Sequence, residues 1–336
     1  MKKLICFAVI LSLLAASFAG CGAKTENSIS ADTTPQPEAT AAAVPTPEPT
    51  PEPAPEDPRF PKVTEGTEIE WTDETLKKII YGALGRDLSE TLYTKDVCQI
   101  RELFILSDKV VLINESPFWN MDPDSPGVYT FRDVTYTESV DISFDDLRYF
   151  YNLENLMVCM CKVKDIDVLP HLEKLKYLTM SGCGIDDVSP LAECDNLREV
   201  TMHDNNISDL SPLKDMELWD LFMSHNDISD ISPLADMKKL PSEIVLSYNS
   251  ITDISALAPE GRSDALAYLN LRNNNISDLS PLGGYKHIGM LSLTYNNISD
   301  VSPLKDMDKS ITIYLKGNPV HNLSELAGFE RIYADG

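Results

Sequence analysis

Between residues 266 and 282 the chain reads Leu266-Ala267-Tyr268-Leu269-Asn270-Leu271-Arg272-Asn273-Asn274-Asn275-Ile276-Ser277-Asp278-Leu279-Ser280-Pro281-Leu282. Its first half alternates, so in a strand Leu269 and Leu271 face inward while Tyr268, Asn270 and Arg272 face out. Asn274 falls where the chain leaves the strand and can satisfy backbone groups that have no sheet partner. Ile276 and Leu279 fill a core behind that turn. Ser-Pro then opens a short helical turn, with Ser280 expected as N-cap and Pro281 at the first helical position, where its missing N–H does no harm.

The same stretch recurs. Copies of the Ile-Ser-Asp-Leu-Ser-Pro-Leu block put Asp at 165, 187, 209, 230, 253, 278 and 300, a spacing near 22 stretched only between 253 and 278. The strand half recurs as Leu197-x-x-Val200-x-Met202-x-x-Asn205, Leu218-x-x-Leu221-x-Met223-x-x-Asn226 and Ile288-x-x-Leu291-x-Leu293-x-x-Asn296. A fixed period of this length marks a stacked array in which no coil can bury its apolar edge alone. The fold class expected is therefore an α/β solenoid. The pattern resembles the leucine-rich repeat, and its 22-residue length and Ser-Pro-Leu block are similar to the internalin-type class on bacterial surfaces. That resemblance covers about 150 to 326 and implies a right-handed superhelix with an N-terminal helical cap and a protein ligand.

The organisation before the array follows from composition. Lys2 and Lys3 precede an apolar run from Leu4 to Phe18 that ends in Ala19-Gly20-Cys21. So short a run with a basic head reads as an export signal and not a membrane span. The Cys after Ala-Gly resembles a bacterial lipobox, which implies that residues 1–20 are a lipoprotein signal peptide and that Cys21 is lipidated. Phe18 departs from the aliphatic residue usual at that place. Residues 21–61 form a Pro/Thr/Glu-rich linker, as in Thr46-Pro47-Glu48-Pro49-Thr50-Pro51. Such a segment is a disordered, extended spacer reaching on the order of 100 Å. Residues 62–98 read as a helical cap, with Thr72 as N-cap before Leu76, Ile79, Ile80 and Leu84. A second short helix follows over Tyr93 to Cys98. Residues 99–140 hold a first strand, Leu103–Leu106, and an inserted hairpin or loop, and residues 141–336 hold the repeats. Cys21 is expected to be the one anchor, making the protein surface-exposed on the outer face of a cell membrane.

Function is bounded by charge and by what varies between copies. A net charge of −25 disfavours nucleic acid, whose binding rests on Lys and Arg displacing counterions. It equally disfavours adhesion of the body to an anionic bilayer and favours neutral or basic partners. The concave wall of such a solenoid is made by outward strand residues that the core does not dictate. Those residues are Tyr177, Thr179, His203, Phe222, His225, Tyr248, Tyr268, Arg272, Tyr295 and Tyr314. Exposed aromatics on a rigid face suit a binding interface, although stacking between coils would also explain them. Sugar stacking on the same rings makes a carbohydrate- or peptidoglycan-binding lipoprotein the alternative.

No cofactor or metal is expected, and no catalysis. The Ser and Asp of the blocks recur with the period and so read as caps and turns, and His203 with His225 lacks a third ligand. Asp122, Asp124 and Glu115 in the insertion show no nucleophile–base pairing. Cys161 and Cys183 take the Asn position of successive coils. Strand spacing would allow a disulfide between them, but leaving the turn would cost its support, so free buried thiols are expected.

Overall fold

A computed structural model describes residues 57–107, 110–113, 119–121, 129–131, 134–136, 140–258 and 266–335. The signal, Cys21, most of the linker and the carboxylates of the insertion lie outside the described residues. Ten strands stack in parallel, one per coil: β1 (Glu102–Leu106), β7 (Asn155–Cys159), β9 (Tyr177–Ser181), β10 (Glu199–Thr201), β11 (Asp220–Phe222), β12 (Glu243–Val245), β13 (Tyr268–Asn270), β14 (Met290–Ser292), β15 (Thr312–Tyr314) and β16 (Arg331–Tyr333). Where a hairpin or loop was expected, β2 (Val110–Ile113) pairs antiparallel with β1 and forms the eleventh strand at that edge. The rest of the insertion adds β3 (Trp119–Met121), β4 (Tyr129–Phe131) and β5 (Val134–Tyr136), an antiparallel three-stranded sheet. Two further short strands, β6 (Val140–Ile142) and β8 (Cys161–Val163), pair in parallel where the first coils stack. Short 3-10 helices such as Ser211–Leu213, Ser280–Leu282 and Ser302–Leu304 form the opposite side of the coils.

The inward residues repeat as expected. Val200, Leu221, Ile244, Leu269, Leu291 and Ile313 are fully buried in register along the sheet, and Leu213, Leu282 and Leu304 close the core from the helical side. Each repeat Asn ties its coil to the one before. Asn296 Nδ2 donates to the Leu271 carbonyl at 2.9 Å while its Oδ1 accepts the Ile276 amide at 3.0 Å. Asn226, Asn249, Asn274 and Asn318 make the equivalent pair of bonds, and Asn205 does the same towards Met180 and Cys183. Since each is half-buried or buried, these amides serve as the backbone partners that a strand end otherwise lacks. Cys183 fills the same place with a thiol directed to the Val158 carbonyl at 3.3 Å. None of the five described cysteines is in a disulfide, and burial pushes the Cys159 and Cys183 thiols well above their usual range and Cys194 up to about 12.

Two helix caps differ from expectation. In the blocks it is Asp, not Ser, that caps: Asp187, Asp209, Asp230, Asp253, Asp278 and Asp300 each accept the amide of the Ser two residues on at 2.8 Å. In the turns Ser211–Leu213, Ser280–Leu282 and Ser302–Leu304 Ser is then the first residue and Pro the second. In the helix Pro233–Asp236, by contrast, Ser232 is the N-cap and Pro233 the first residue, as expected. A carboxylate two residues upstream reaches that amide with an Asx turn, which leaves the Ser hydroxyl free to bond back to Asp, as Ser280 does to Asp278. In the N-terminal cap, helix Glu74–Leu84 is capped by Asp73, which accepts the Leu76 amide at 2.7 Å, rather than by Thr72. Thr72 instead gives its amide and hydroxyl to the buried Asp146, which binds the cap to the first coils. Packed chain also begins before residue 62. Phe60 is buried beside the His171 ring and Arg59 bridges Asp57 and Asp167.

Candidate binding face

The outer side of the parallel sheet carries every described residue expected to meet a partner, but not all of them from strands. Tyr177 and Tyr268 occupy the first outward strand position, and Thr179, Phe222 and Tyr314 the next. Thr179 is only 9% exposed and so is covered by its neighbours. His203 and Arg272 lie one turn of alternation further, just past the strands. His225, Tyr248 and Tyr295 are a correction. They sit in the left-handed turn that follows, with φ of 55°, 57° and 56°, where Asp204 and Asn273 also lie. The amide at this position donates to the next coil, as Tyr295 does to the Lys316 carbonyl at 2.8 Å and Tyr248 to the Arg272 carbonyl at 2.8 Å. Coil stacking therefore holds bulky side chains in a backbone region they rarely adopt. His203 and His225 consequently occupy different positions of their coils, and among the described residues no three His, Cys, Asp or Glu side chains converge as a metal site.

Downstream, the face is a stack. The His225 and Tyr248 rings lie 4.0 Å apart and nearly parallel. The Arg272 guanidinium lies over both Tyr248 and Tyr295, 5.3 and 5.4 Å from their centroids. The Tyr295 ring covers Gly317, where φ is +77° and an added Cβ would fall on the ring. Beside this run Tyr314 and Tyr333 stack at 4.8 Å. Tyr295 and Tyr333 keep 44% and 51% of their surface exposed.

Upstream, the face is acidic. Glu199, Asp220 and Glu243 are register partners on three neighbouring strands, flanked by Tyr177 on one side and Tyr268 on the other. Burial raises all three carboxyls, Glu199 to about 7, and the charges of Asp220 and Glu243 add to the effect on Glu199. Next to them, burial pushes His203 down to about 4. Its Nδ1 accepts the Ser224 amide at 3.0 Å, so at neutral pH the ring is uncharged with its proton on Nε2. Aromatic content does not reveal this carboxylate row, whereas strict alternation does, since all three acids share the position of Tyr177 and Tyr268. Trp219, 53% exposed, falls out of phase with that column and is missed by alternation.

A leucine-rich-repeat family model with two copies of the repeat matches residues 173–215. Among curated protein sequences none matches the chain. Internalin C2 from Listeria monocytogenes superposes over 82% of this chain and 98% of its own with a TM-score of 0.50 at 21% identity. The fold is the leucine-rich-repeat solenoid. A second Listeria monocytogenes internalin, InlF, aligns over 80% of this chain and 84% of its own at 22% identity and a TM-score of 0.49. The repeat ectodomain of a plant membrane receptor kinase from Arabidopsis thaliana, solved with Casparian strip integrity factor 2, aligns over 58% of this chain and 25% of its own at 19% identity and a TM-score of 0.47. Within this chain the Asn ladder is the repeated frame, and the outer sheet face is the part that differs from coil to coil.

Proposed function

We propose that this chain is a surface-anchored bacterial lipoprotein that binds a protein partner on the concave wall of its leucine-rich repeats. The observation that carries the reading is the division of each coil. Inward positions and the Asn are fixed by packing, whereas the outer row carries Phe222, Tyr268 and Tyr314, which the core does not need, and Trp219 lies exposed directly before it. Rigid aromatics bury much area at low entropy cost, which is the composition of an interface. Anchoring through lipidated Cys21, with the Pro-rich stretch as spacer on the outer face of the membrane, rests on the sequence signals. Protein is favoured over carbohydrate because the His225 ring already stacks on Tyr248 and the Arg272 guanidinium also lies over it, and a sugar needs an open ring face.

The experiment is site-specific photo-crosslinking in the full chain. A photoreactive phenylalanine analogue at Tyr268 should give a discrete protein adduct on cells or envelope fractions, and the same probe at Asp306, on the exposed helical side, should not. Adducts from Asp306 alone, or none sensitive to protease, would remove the concave wall as a protein-binding surface.

A further inference from the structure

The far edge of the parallel sheet is unguarded. Among the described residues β16 has a strand neighbour, β15, on one side only. Along the array alternate residues give their amides to the next coil, as Leu293 does to the Tyr314 carbonyl at 2.9 Å and Leu315 to the Tyr333 carbonyl at 2.7 Å. Ile332 and Ala334 stand in that same phase in the last coil, so their N–H and C=O groups point to the open edge. Their side chains continue the column of Ile313 and Leu315, which are 0% and 1% exposed, yet both are only partly buried. Val320 and Phe329 are partly buried beside them, and Leu323 is exposed. Edge strands are ordinarily protected by a Pro, an inward charge or a bulge. β16 instead turns Ile332 inward and has no Pro.

The charges at this edge decide which occupant fits. With a net charge of −25, two copies of the chain repel over much of their surface. Residues 305–335 are close to balanced, with four Lys or Arg against five Asp or Glu. The strand is also complementary to itself. With a second β16 antiparallel about a twofold axis at Tyr333, Ile332 of each copy faces Ala334 of the other, and the pair exchanges both N–H···O bonds. The same register sets Arg331 opposite Asp335 of the second copy on the outer face, at the closer spacing of pairs that share no hydrogen bond. Centring the axis on Ile332 or Ala334 would separate Arg331 from Asp335. Both charged groups are held at the edge: the Asp335 carboxylate accepts the Gly317 amide at 2.6 Å, and the Arg331 guanidinium donates to the Ser310 carbonyl at 2.7 Å.

We propose that this edge is a homodimer interface in which β16 of two copies pairs antiparallel into one continuous sheet. The axis stands perpendicular to the sheet, so both outer faces look the same way. The Tyr314–Tyr333 stack of one copy then meets that of the other. Pairing satisfies the open backbone groups and covers the half-buried Ile332 and Ala334. The interface lies apart from Tyr268 and does not depend on the protein-binding reading.

The test is sedimentation velocity of the full chain over a range of concentrations. The wild type should form a dimer as concentration rises. Arg331→Asp and Asp335→Arg should each weaken it ~10-fold or more, since each change acts twice across the axis, and Arg331→Asp/Asp335→Arg should restore it to within ~3-fold. Mild oxidation of Tyr333→Cys should give a reducible dimer, because opposed residues at the axis lie within disulfide reach. Glu325→Cys, exposed on the same coil, should give no more than the wild type. A chain monomeric at every concentration, a dimer that ignores both single reversals, a double reversal no tighter than the singles, or crosslinking of Tyr333→Cys no greater than of Glu325→Cys would each overturn the proposal.

Discussion

The two halves of the outer sheet face solve the same geometry in opposite ways. Downstream of Tyr248 the exposed groups satisfy one another, with Arg272 between two tyrosines, Tyr295 laid over Gly317, and Tyr314 against Tyr333. Upstream, at Glu199, Asp220 and Glu243, the groups repel one another. Both halves stand on one frame of buried leucines and Asn ladders. Frame residues thus explain stability, and the contrast between the halves concerns the outer face: stacked rings in one, mutually repelling carboxyls in the other.

Removing the frame should hurt both halves alike. Asn226→Ala upstream and Asn296→Ala downstream each strand a buried amide of the preceding coil, Ile207 or Ile276, together with carbonyls on the other side. Each should cost about 3 kcal/mol in chemical denaturation. A difference of more than ~1 kcal/mol between them would show that the frame itself is uneven.

The next effect belongs to the downstream half alone. Gly317→Ala places a methyl on the Tyr295 ring at a φ that disfavours any side chain, and should cost about 2 kcal/mol. Urea denaturation reads it directly, and an unchanged midpoint would mean the ring does not rest on that glycine. Arg272→Ala should cost about 1 kcal/mol by releasing Tyr248 and Tyr295, and Arg272→Lys should recover only part of it, because a point charge stacks less well than a planar guanidinium.

The smallest effect has the opposite sign and belongs upstream. Glu199 is raised in the folded state from its ordinary 4.5 to about 7, so the folded chain holds a proton that the unfolded chain releases. Its contribution is fully present below pH 4.5 and is lost as pH rises through 7. Glu199→Gln should therefore melt higher than wild type at pH 8, by the equivalent of at most about 1 kcal/mol, and with little difference at pH 4. A stabilisation that is the same at both pH values would remove repulsion as its cause.

Much of the frame is legible in the amino-acid sequence. Inward Leu269 and Leu271, the coil-joining Asn274 and the position of Tyr268 all follow from alternation and period, because a strand's side chains have no other choice. Local reach is what the pattern does not convey. Asp278 caps in place of Ser280 because its carboxylate reaches an amide that the Ser hydroxyl does not. Tyr248 and Tyr295 lie outside the strand because each coil bonds the next through a left-handed residue, a requirement visible in sequence only as Gly182, Asp204, Asn273 and Gly317 sharing their place. The carboxylate row escapes a search led by aromatics, although Glu199, Asp220 and Glu243 stand in the same column as two of them.

The most direct measurement is the affinity of the partner crosslinked through Tyr268 for the full chain and for Phe222→Ala/Tyr268→Ala, beside Asp186→Ala/Ser208→Ala on exposed turns away from the strands. Loss of ~10-fold or more in the first pair with less than ~2-fold in the second is the result expected of a binding face on the sheet. Equal affinities for all three proteins would contradict it.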